Sequence, residues 1–288
     1  MVVLNSDSTT RSATRNLTEQ FKQAGLNFPE EDAFELVMAA TGLSRTDIIL
    51  NGQAVLTPEV FKTILQYASR RLAGEPIDSI LGWREFFGRR FEISKQVLSP
   101  RADTENLIRC GLKALEGKIS PTCLDLGTGS GAILVTVLAE RDDATGVGVD
   151  ISQDALVIAR KNADELGVSE CAKFFKSVWF DSVSGTFDLI LSNPPYITDE
   201  AMNGLESEVA QYDPDISLRG GADGLEAYRE ILSKSERHLK SGGSLWVEIG
   251  YDQAEPVHSL FEQSGFNEIE VRKDLSGKNR CVGGKRPS

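Results

Sequence analysis

The sequence predicts an α/β protein, in which an open, mostly parallel sheet is wound on both faces by helices and follows a small helical domain. From residue 121 onward, strand-like segments alternate with helical ones, which is the pattern of repeated βα units. The first 75 residues instead show only the helical spacing of apolar side chains. The length of 288 residues allows about two domains, in agreement with both patterns.

The first predicted domain covers residues 1–80 and is helical, with residues 1–15 as a frayed tail. Thr57 is a candidate N-cap, and Pro58 follows it at the first helical position. Apolar side chains recur at helical spacing at Phe34, Val37 and Met38, and again at Val60, Phe61, Ile64, Leu65, Ala68 and Leu72. Because such stripes are far more often core than binding faces, these helices carry no functional prediction.

A linking β-hairpin is predicted at residues 81–100, since aromatic and β-favouring residues flank Gly88. The sheet domain is assigned to residues 101–288 and begins with a helix for which Asp103 or Thr104 is the cap. Its strands are expected at residues 122–126, 145–149, 172–176, 187–191, 244–249, 268–271 and near 281. Ligands of such sheets bind at the carboxyl ends of strands, so the loops after strands are where chemistry is expected.

Composition argues against several classes of protein. The 31 Lys and Arg residues against 43 Asp and Glu residues give a net charge of -12, so no direct nucleic-acid binding is expected. No apolar run approaches the length of a membrane span, and the N-terminus lacks the apolar core of a secretory signal. Four cysteines without C-x-x-C spacing and two histidines predict no metal site. With its cysteines reduced, the protein is expected to be cytoplasmic.

A glycine turn joins the first strand of the sheet domain to its helix, in the run Asp125-Leu126-Gly127-Thr128-Gly129-Ser130-Gly131-Ala132. Glycines let a nucleoside approach the backbone, and Asp150 at the end of the next strand can accept both ribose hydroxyls. The turn therefore predicts a nucleoside cofactor. The identity of this nucleoside cofactor stays open, because the run also satisfies the dinucleotide spacing G-x-G-x-x-G/A. Its form D-x-G-x-G-x-G resembles the class I methyltransferases, whose S-adenosylmethionine has a ribose but no phosphate.

A second motif, Asn193-Pro194-Pro195-Tyr196, follows the strand predicted at residues 187–191. Adjacent prolines stop the strand and remove two backbone donors, which leaves a rigid set of acceptors. The Asn193 side-chain carbonyl and the Pro194 backbone carbonyl can accept both N–H bonds of a planar –NH2 group. Such a site orients an amide or exocyclic amine nitrogen toward a methyl donor and disperses the charge that grows on it. Tyr196 is expected to wall the pocket.

The order and spacing of further segments resemble the release factor glutamine methyltransferases, the PrmC/HemK family, over about residues 30–284. The segments are Gly82-Trp83-Arg84-Glu85-Phe86-Phe87-Gly88, Pro100-Arg101-Ala102-Asp103-Thr104-Glu105, 125–133, 193–197, Asp213-Pro214, 220–225, Val247-Glu248-Ile249-Gly250 and Asp274-Leu275-Ser276-Gly277. Several independent motifs in register make this resemblance far more specific than the Asn-Pro-Pro-Tyr motif alone.

The resemblance implies a class I methyltransferase fold, Rossmann-like with a seven-stranded sheet. It implies methyl transfer from S-adenosyl-L-methionine, with S-adenosyl-L-homocysteine as product, to the side-chain N5 of the glutamine in the Gly-Gly-Gln loop of class 1 peptide chain release factors. This reaction modulates translation termination. Carried over by position, the cofactor-binding residues are Gly127, Thr128, Gly129, Ser130, Gly131, Asp150, Trp179 and Asn193. The substrate-binding residues are Asn193, Pro194, Pro195 and Tyr196, of which Asn193, Pro194 and Tyr196 are the catalytic ones.

The chain departs from the family pattern at Ser99 and Ala102, where Ile and Pro are common, and at Val178, where Asp is common. The change at Val178 is expected to weaken an adenine contact. The resemblance also places Arg101 and Thr104 near the methionine end of the cofactor.

Three other functions stay open at this point. A glutamine methyltransferase acting on a ribosomal protein shares the Asn-Pro-Pro-Tyr site, although the Pro-Arg-x-Asp-Thr-Glu form favours release factors. An adenine-N6 methyltransferase must extrude its base and hold a phosphate backbone, which the net charge of -12 disfavours. A binding protein without activity is disfavoured by the intact Asp125, Asp150 and Asn193.

Overall fold

The structure, a computed structural model, describes residues 4, 7–205 and 207–287. The chain divides into two compact units, Met1–Gly82 and Trp83–Ser288. The first unit is built from helices, and the second holds the two sheets. Among the described residues, no helix is both long enough and apolar enough to cross a bilayer.

The helices of the first unit pack around an apolar core. They are α1 (Thr10–Gln23), α2 (Pro29–Thr41), α3 (Arg45–Asn51), α4 (Pro58–Leu72) and α5 (Ile77–Leu81). As the helical spacing predicts, α2 contributes Val37 to this core and α4 contributes Ile64 and Ala68. The Thr57 hydroxyl accepts from the backbone N–H of Val60 at 3.4 Å, which confirms the predicted cap of α4.

The predicted frayed tail is wrong from Thr10 onward, because α1 begins there. Residues 1–3 and 5–6, which belong to the same prediction, lie outside the described residues. The Thr9 hydroxyl accepts from the Ser12 N–H at 3.2 Å, and the Ser12 hydroxyl accepts from the Thr9 N–H at 2.8 Å. This capping box has serine rather than Glu or Gln at its third helical position, so the usual sequence pattern does not reveal it.

The second unit begins with the predicted hairpin, formed by β1 (Trp83–Phe86) and β2 (Arg89–Glu92). Phe87 and Gly88 form the turn with φ values of 51° and 68°, a backbone that matches the twist of a two-residue hairpin. Phe86 and Phe91 bury their rings in the apolar core of the second unit. The hairpin is therefore part of that unit's packing.

A seven-stranded sheet forms the rest of the second unit. Its helices and strands, in chain order, are α6 (Glu105–Ala114), β3 (Thr122–Leu126), α7 (Ala132–Glu140), β4 (Thr145–Asp150), α8 (Gln153–Glu165), β5 (Ala172–Lys176), β6 (Phe187–Ser192), α9 (Ser207–Tyr212), α10 (Glu226–Ser235), β7 (Leu239–Glu248), α11 (Ala254–Gln263), β8 (Asn267–Lys273) and β9 (Asn279–Lys285). The strand order is β5-β4-β3-β6-β7-β9-β8. Strands β5 to β7 in this order are parallel, and β9 is antiparallel to both neighbours, which confirms a mostly parallel sheet.

Both faces of the sheet are covered. On β3, Cys123 faces a core shared with Leu107 of α6, whereas Leu124 faces a second core shared with Tyr228 of α10 and Phe261 of α11. Burial on both faces is typical of parallel strands and explains their nearly continuous apolar sequence.

The chain order of the strands creates a switch point in the sheet. From β3 the chain moves outward to β4 and β5, and then returns to place β6 on the other side of β3. At such a reversal the loops that follow the two central strands diverge and leave a crevice for a ligand. The loops after β3 and β6 are therefore the structural location of the site.

Asn162 of α8 ties the hairpin to the loop after β3. Its amide nitrogen donates to Glu92 O at 2.9 Å and to Ser130 O at 2.8 Å, and its Oδ1 accepts from the Glu92 N–H at 2.7 Å. Because this fully buried amide makes all these hydrogen bonds, it fixes α8, β2 and the loop after β3 relative to one another.

Candidate active site

Three segments meet around a cavity of about 300 Å³ at the carboxyl edge of the sheet, a volume typical of small-molecule sites. They are the glycine turn after β3, the end of β4 and the Asn-Pro-Pro-Tyr segment after β6, and residues after β5 and from other loops complete the lining. The predicted site residues that line this cavity are Gly127, Gly129, Asp150, Trp179, Asn193 and Pro195. The structure thus brings most of the predicted residues to one place.

The backbone of the glycine turn is fixed by the neighbouring strand. The N–H groups of Gly127 and Thr128 both donate to Val149 O, each at 2.9 Å. Gly131 has a φ of 80°, and a Cβ built on it would lie 3.1 Å from the Cβ of Ala159 on α8. Glycine is therefore required at this position both by the left-handed backbone and by the close approach of a helix.

Thr128 and Ser130 support the turn rather than line the cavity. The Thr128 hydroxyl donates to Asp125 Oδ2 at 2.6 Å, in the protein interior. Ser130 is only 3% exposed, and its carbonyl is the one held by Asn162. Their positions agree with a role in shaping the turn.

Asp125 lies fully buried below the turn. Its Oδ1 has no hydrogen-bond partner among the described residues. Burial raises the pKa of this carboxyl to about 7, because a charge is costly in an apolar interior, and the bond from Thr128 offsets only part of that cost. Asp125 is therefore a buried support of the glycine turn through its bond with Thr128.

Asp150 at the end of β4 is held in place by two backbone groups. Its Oδ2 accepts from the Gly129 N–H at 2.9 Å, and its Oδ1 accepts from the Ser152 N–H at 2.8 Å. A carboxylate has about four acceptor positions, so each oxygen can still accept one hydroxyl. Asp150 is thus a rigid acceptor for a pair of neighbouring hydroxyl groups.

Trp179 and Val178 line the cavity beyond β5. Trp179 has a φ of 45°, an uncommon backbone for a non-glycine residue, and its carbonyl accepts from the Ser177 hydroxyl at 2.9 Å. The indole ring lies beside Gly127, 3.7 Å from the position of a Cβ there. Together these side chains form an apolar wall next to the glycine turn.

Asn193 follows β6 and lines the same cavity. The preceding residue, Ser192, donates its hydroxyl to Leu126 O at 2.8 Å and so joins the ends of β6 and β3. The Asn193 amide nitrogen donates to the Thr104 hydroxyl at 3.4 Å. This bond turns the amino group of Asn193 toward the protein.

Pro194 and Tyr196 do not line the cavity but lie next to residues that do. Within the described ranges, no protein donor bonds to the Pro194 carbonyl. Burial raises the pKa of Tyr196 to about 12, which keeps its hydroxyl neutral at physiological pH. A Cβ built on Gly220 would lie 2.8 Å from Tyr196 Cα, so the loop after the Asn-Pro-Pro-Tyr segment packs tightly on it.

Gln253 fixes the backbone of this segment, and sequence reasoning missed it. Its amide nitrogen donates to Tyr196 O at 3.0 Å and to Gly224 O at 3.2 Å. Its Oε1 accepts from the Gly250 N–H at 3.0 Å and from the Tyr228 hydroxyl at 3.3 Å. The only sequence signal was indirect, since Gln253 follows the Val-Glu-Ile-Gly motif closely.

Glu248, the last residue of β7, was also missed as a site residue. It is 2% exposed, and its carboxyl group lies beside the side chains of Thr104 and Asn193. Burial raises the pKa of Glu248 to about 7, and the nearby Arg280 opposes this shift. Its Oε2 has no partner among the residues described.

The structure bears on two predictions around residue 100. Of the two candidate caps, Thr104 occupies the N-cap position of α6, but its side chain makes no cap bond, because a 3-10 turn at Ala102–Thr104 precedes the helix and turns this side chain toward Asn193. Arg101 is absent from the cavity lining and instead pairs with Asp213 at 2.7 Å. The proximity of Thr104 to Asn193 still places it beside the site.

Metal chemistry has no visible support in the described part of the chain. No group of three or more His, Cys, Asp and Glu side chains there is arranged to hold an ion. The cysteines are free thiols, namely Cys110, Cys123, Cys171 and Cys281.

Comparison with known proteins places this architecture in a family. Residues 12–82 match the model of the PrmC N-terminal domain, and residues 107–211 match the methyltransferase small domain. Among solved structures, the hMettl16 catalytic domain in complex with the MAT2A 3'UTR hairpin 6 is similar, with a TM-score of 0.59 and 14% identity over 88% of this chain and 93% of that chain. At this identity the likeness shows the fold alone.

Curated relatives are more informative than the structural neighbours. A protein of Caulobacter vibrioides named release factor glutamine methyltransferase is 41% identical, covering 93% of this chain and 94% of its own length. A protein of the same name from Rhodospirillum rubrum is 42% identical, covering 93% of this chain and 82% of its own. The chain therefore belongs to the release factor glutamine methyltransferase family and is a methyltransferase.

Proposed function

We propose that the chain transfers the methyl group of S-adenosyl-L-methionine to the side-chain N5 of the glutamine in the Gly-Gly-Gln loop of class 1 peptide chain release factors. The observation that carries this proposal is the acceptor pair of Asn193 and the Pro194 carbonyl, next to a cavity with a glycine turn and the Asp150 carboxylate. The names of the relatives, which cover 93% of this chain, support the substrate class.

The residues around the cavity fit S-adenosyl-L-methionine better than a dinucleotide. The turn N–H groups of Gly127, Thr128, Gly129 and Gly131 are already bonded within the protein, so they are not free to hold a pyrophosphate. Asp150 keeps acceptor positions for the two ribose hydroxyls, and Trp179 offers an apolar wall for the base. When bound, the cofactor supplies an electrophilic methyl group on a sulfonium sulfur.

The acceptor pair explains how a poor nucleophile can react. A glutamine amide nitrogen is planar, and its lone pair is delocalised into the carbonyl. If Asn193 Oδ1 and Pro194 O accept its two N–H bonds, the nitrogen is oriented toward the methyl group, and the positive charge that grows on it is stabilised. The methylated nitrogen is acidic and loses its proton to water, so a strong base is unnecessary. Tyr196 remains neutral, in agreement with a role as a wall of the pocket.

We also propose that the partner is a protein in the cytoplasm and that the chain does not bind nucleic acid directly. The net charge of -12 would repel a phosphate backbone, which an adenine methyltransferase has to hold. The release factor itself acts where translation terminates, which places the reaction in that compartment.

Mass spectrometry tests this function. A class 1 release factor is incubated with the protein and S-adenosyl-L-methionine, and a factor whose Gly-Gly-Gln glutamine is replaced serves as the control. One added methyl group on that glutamine, absent in the control, is the expected result. Cofactor binding without transfer to the release factor would reject the substrate, and ribosomal-protein glutamines and then adenine would be assayed next.

A further inference from the structure

Three sequence motifs converge behind Asn193, although the proposed methyl transfer gives them no role. The Pro-Arg-Ala-Asp-Thr-Glu motif supplies Thr104, and the Val-Glu-Ile-Gly motif supplies Glu248. The Asp-Leu-Ser-Gly motif begins with Asp274, which pairs with Arg280 at 3.1 Å. Thr104 lies more than a hundred positions before Glu248 and Asp274, so the fold, and no local turn, brings it near them.

The bonds around Asn193 fix which way its amide faces. The amide nitrogen donates to the Thr104 hydroxyl at 3.4 Å. The buried Glu248 carboxyl lies beside both side chains, whose polar groups partly offset the rise in its pKa that burial causes. A carboxylate only accepts, so the group that Asn193 presents to it has to be the amino group. With the amino group held inward, the carbonyl oxygen of the same amide is left for the cavity side. A flipped amide would place its oxygen against the carboxylate and be repelled.

We infer that Glu248 and Thr104 are positioning residues, which hold the Asn193 amide with its carbonyl oxygen toward the substrate nitrogen. Thr104 completes the arrangement because its hydroxyl can accept from Asn193 while donating to Glu248. A negative group behind the amide also polarises it and makes the carbonyl oxygen a stronger acceptor. The inference deepens the proposed function and rests on it, since it assumes that Asn193 receives an N–H of the substrate.

Arg280 holds the segment that carries Thr104. Its guanidinium contacts Asp274 at 3.1 Å and Asp103 at 3.0 Å. Asp103 immediately precedes Thr104, so this ion pair holds the 3-10 turn that carries the Thr104 hydroxyl. Asp274 is itself held by the N–H groups of Ser276 at 2.9 Å and of Lys278 at 3.0 Å.

The burial of Glu248 argues against a purely structural role. The carboxyl group is fully enclosed, and its Oε2 has no partner in the described residues, which is an unfavourable way to fill a core. A structural residue at this position would be more stable as an apolar or amide side chain. Replacement of Glu248 is therefore expected to preserve stability while it impairs turnover, and this combination separates the two roles.

The test compares Glu248→Gln and Glu248→Leu with the control Asp188→Asn in the full chain. Asp188 lies at the opposite end of β6, where it accepts from the Thr122 N–H at 2.9 Å and from Lys240 at 2.6 Å. We expect kcat to fall about 10-fold in Glu248→Gln and about 100-fold in Glu248→Leu, with melting temperature and cofactor affinity retained. Asp188→Asn should lower the melting temperature and leave kcat within about 2-fold.

Thr104 supplies an independent pair of variants. Thr104→Val keeps the shape but removes the hydroxyl, whereas Thr104→Ser keeps the hydroxyl. We expect Thr104→Val to lower kcat about 10-fold with little change in KM, and Thr104→Ser to recover most of it. Equal losses in both variants would indicate packing alone and would overturn the role of Thr104.

A pH profile adds a readout that a packing role would not change. Because burial raises the pKa of Glu248 to about 7, wild-type kcat should fall as pH drops through this value, and Glu248→Gln should abolish that dependence. Charged and titratable groups that act on Glu248 or respond to it are Asp103, Arg280, Tyr196, Tyr228 and Cys281. Retention of the wild-type profile in Glu248→Gln would contradict the inference.

Failure of the inference can be distinguished from failure of the proposed function. If the wild type methylates the release factor and the Glu248 variants do so equally well, the inference is wrong and the function stands. If the wild type is inactive, the proposed function is wrong. The positioning role is then tested separately by NMR, through the side-chain amide signal of Asn193 in 15N-asparagine-labelled protein. That signal, assigned with Asn193→Ala, should titrate near pH 7 in wild type only, and its failure to titrate would overturn the positioning role.

Discussion

The two halves of the candidate active site are built in different ways. The cofactor half is centred on one short run, residues 127–131, whose shape is set by glycine backbone and by N–H bonds to the adjacent strand β4, which ends at Asp150. The acceptor half depends on side chains far away in sequence, because the Thr104 hydroxyl accepts from Asn193 and the Gln253 amide donates to the Tyr196 carbonyl. Binding of a cofactor can thus be encoded locally, whereas orientation of a substrate nitrogen requires the completed fold.

The largest expected effect is that of Asn193→Ala on turnover. Loss of one preorganised acceptor at the reacting nitrogen should lower kcat at least about 100-fold, while the cofactor dissociation constant stays nearly unchanged. Steady-state methylation and calorimetric titration measure the two quantities. An equal loss of cofactor affinity would contradict the division into two halves.

Gln253→Leu tests the acceptor half by removing the side-chain amide that binds the Tyr196 backbone carbonyl. The substitution leaves the Tyr196 and Gly224 carbonyls and the Gly250 N–H without their partner, which should cost about 2 kcal/mol of unfolding free energy in urea denaturation. The matched control Gln263→Leu changes an exposed glutamine at the end of α11 and should cost less than about 0.5 kcal/mol. Similar costs in the two variants would mean that the buried bonds contribute little.

Asp150→Ala tests the cofactor half. Removal of the carboxylate should weaken cofactor binding about 10-fold or more, because the ribose hydroxyls lose their acceptors and the Gly129 N–H loses its partner. Calorimetric titration with S-adenosyl-L-methionine measures the effect. Unchanged affinity would move the ribose contact to another residue.

The smallest expected effect separates packing from backbone conformation in the glycine turn. Gly131 and Gly117 have φ values of 80° and 75°, but only Gly131 has an atom within 4 Å of a built Cβ. Gly117→Ala should therefore cost about 1 kcal/mol for the backbone alone, and Gly131→Ala about 1 kcal/mol more through its clash with α8. Equal unfolding free energies for the two variants would show that α8 adapts without cost.

The same contrast explains what could be predicted from sequence. The alternation of strands and helices, the glycine turn and Asp150 were all evident because each is a local pattern. Gln253 was not evident, since a single glutamine has no pattern of its own and its partners include Tyr196, Gly224 and Tyr228, which lie far from it in the sequence. The sequence predicts Asp103 or Thr104 as the cap of α6, and only the fold shows that the Thr104 hydroxyl accepts from Asn193 and makes no cap bond.

The N-terminal tail shows a different limit. Helix α1 was missed in part because its first turn is rich in Ser and Thr, residues that favour loops unless they cap a helix. The reciprocal bonds between Thr9 and Ser12 make them a cap, and burial of Ala13 and Leu17 holds the helix in place. Composition alone did not distinguish a helix from a loop in this segment, and the capping bonds and tertiary packing determine that it is a helix.

The division of the site into a cofactor half and an acceptor half is tested most directly by the rate of a single turnover at saturating cofactor. Asp150→Ala and Asn193→Ala are assayed side by side on a class 1 release factor. We expect excess S-adenosyl-L-methionine to restore Asp150→Ala to within about 3-fold of the wild-type rate, whereas Asn193→Ala should stay at least about 100-fold slower at any cofactor concentration. Rescue of Asn193→Ala by cofactor, or a rate for Asp150→Ala that stays low at saturation, would contradict the division.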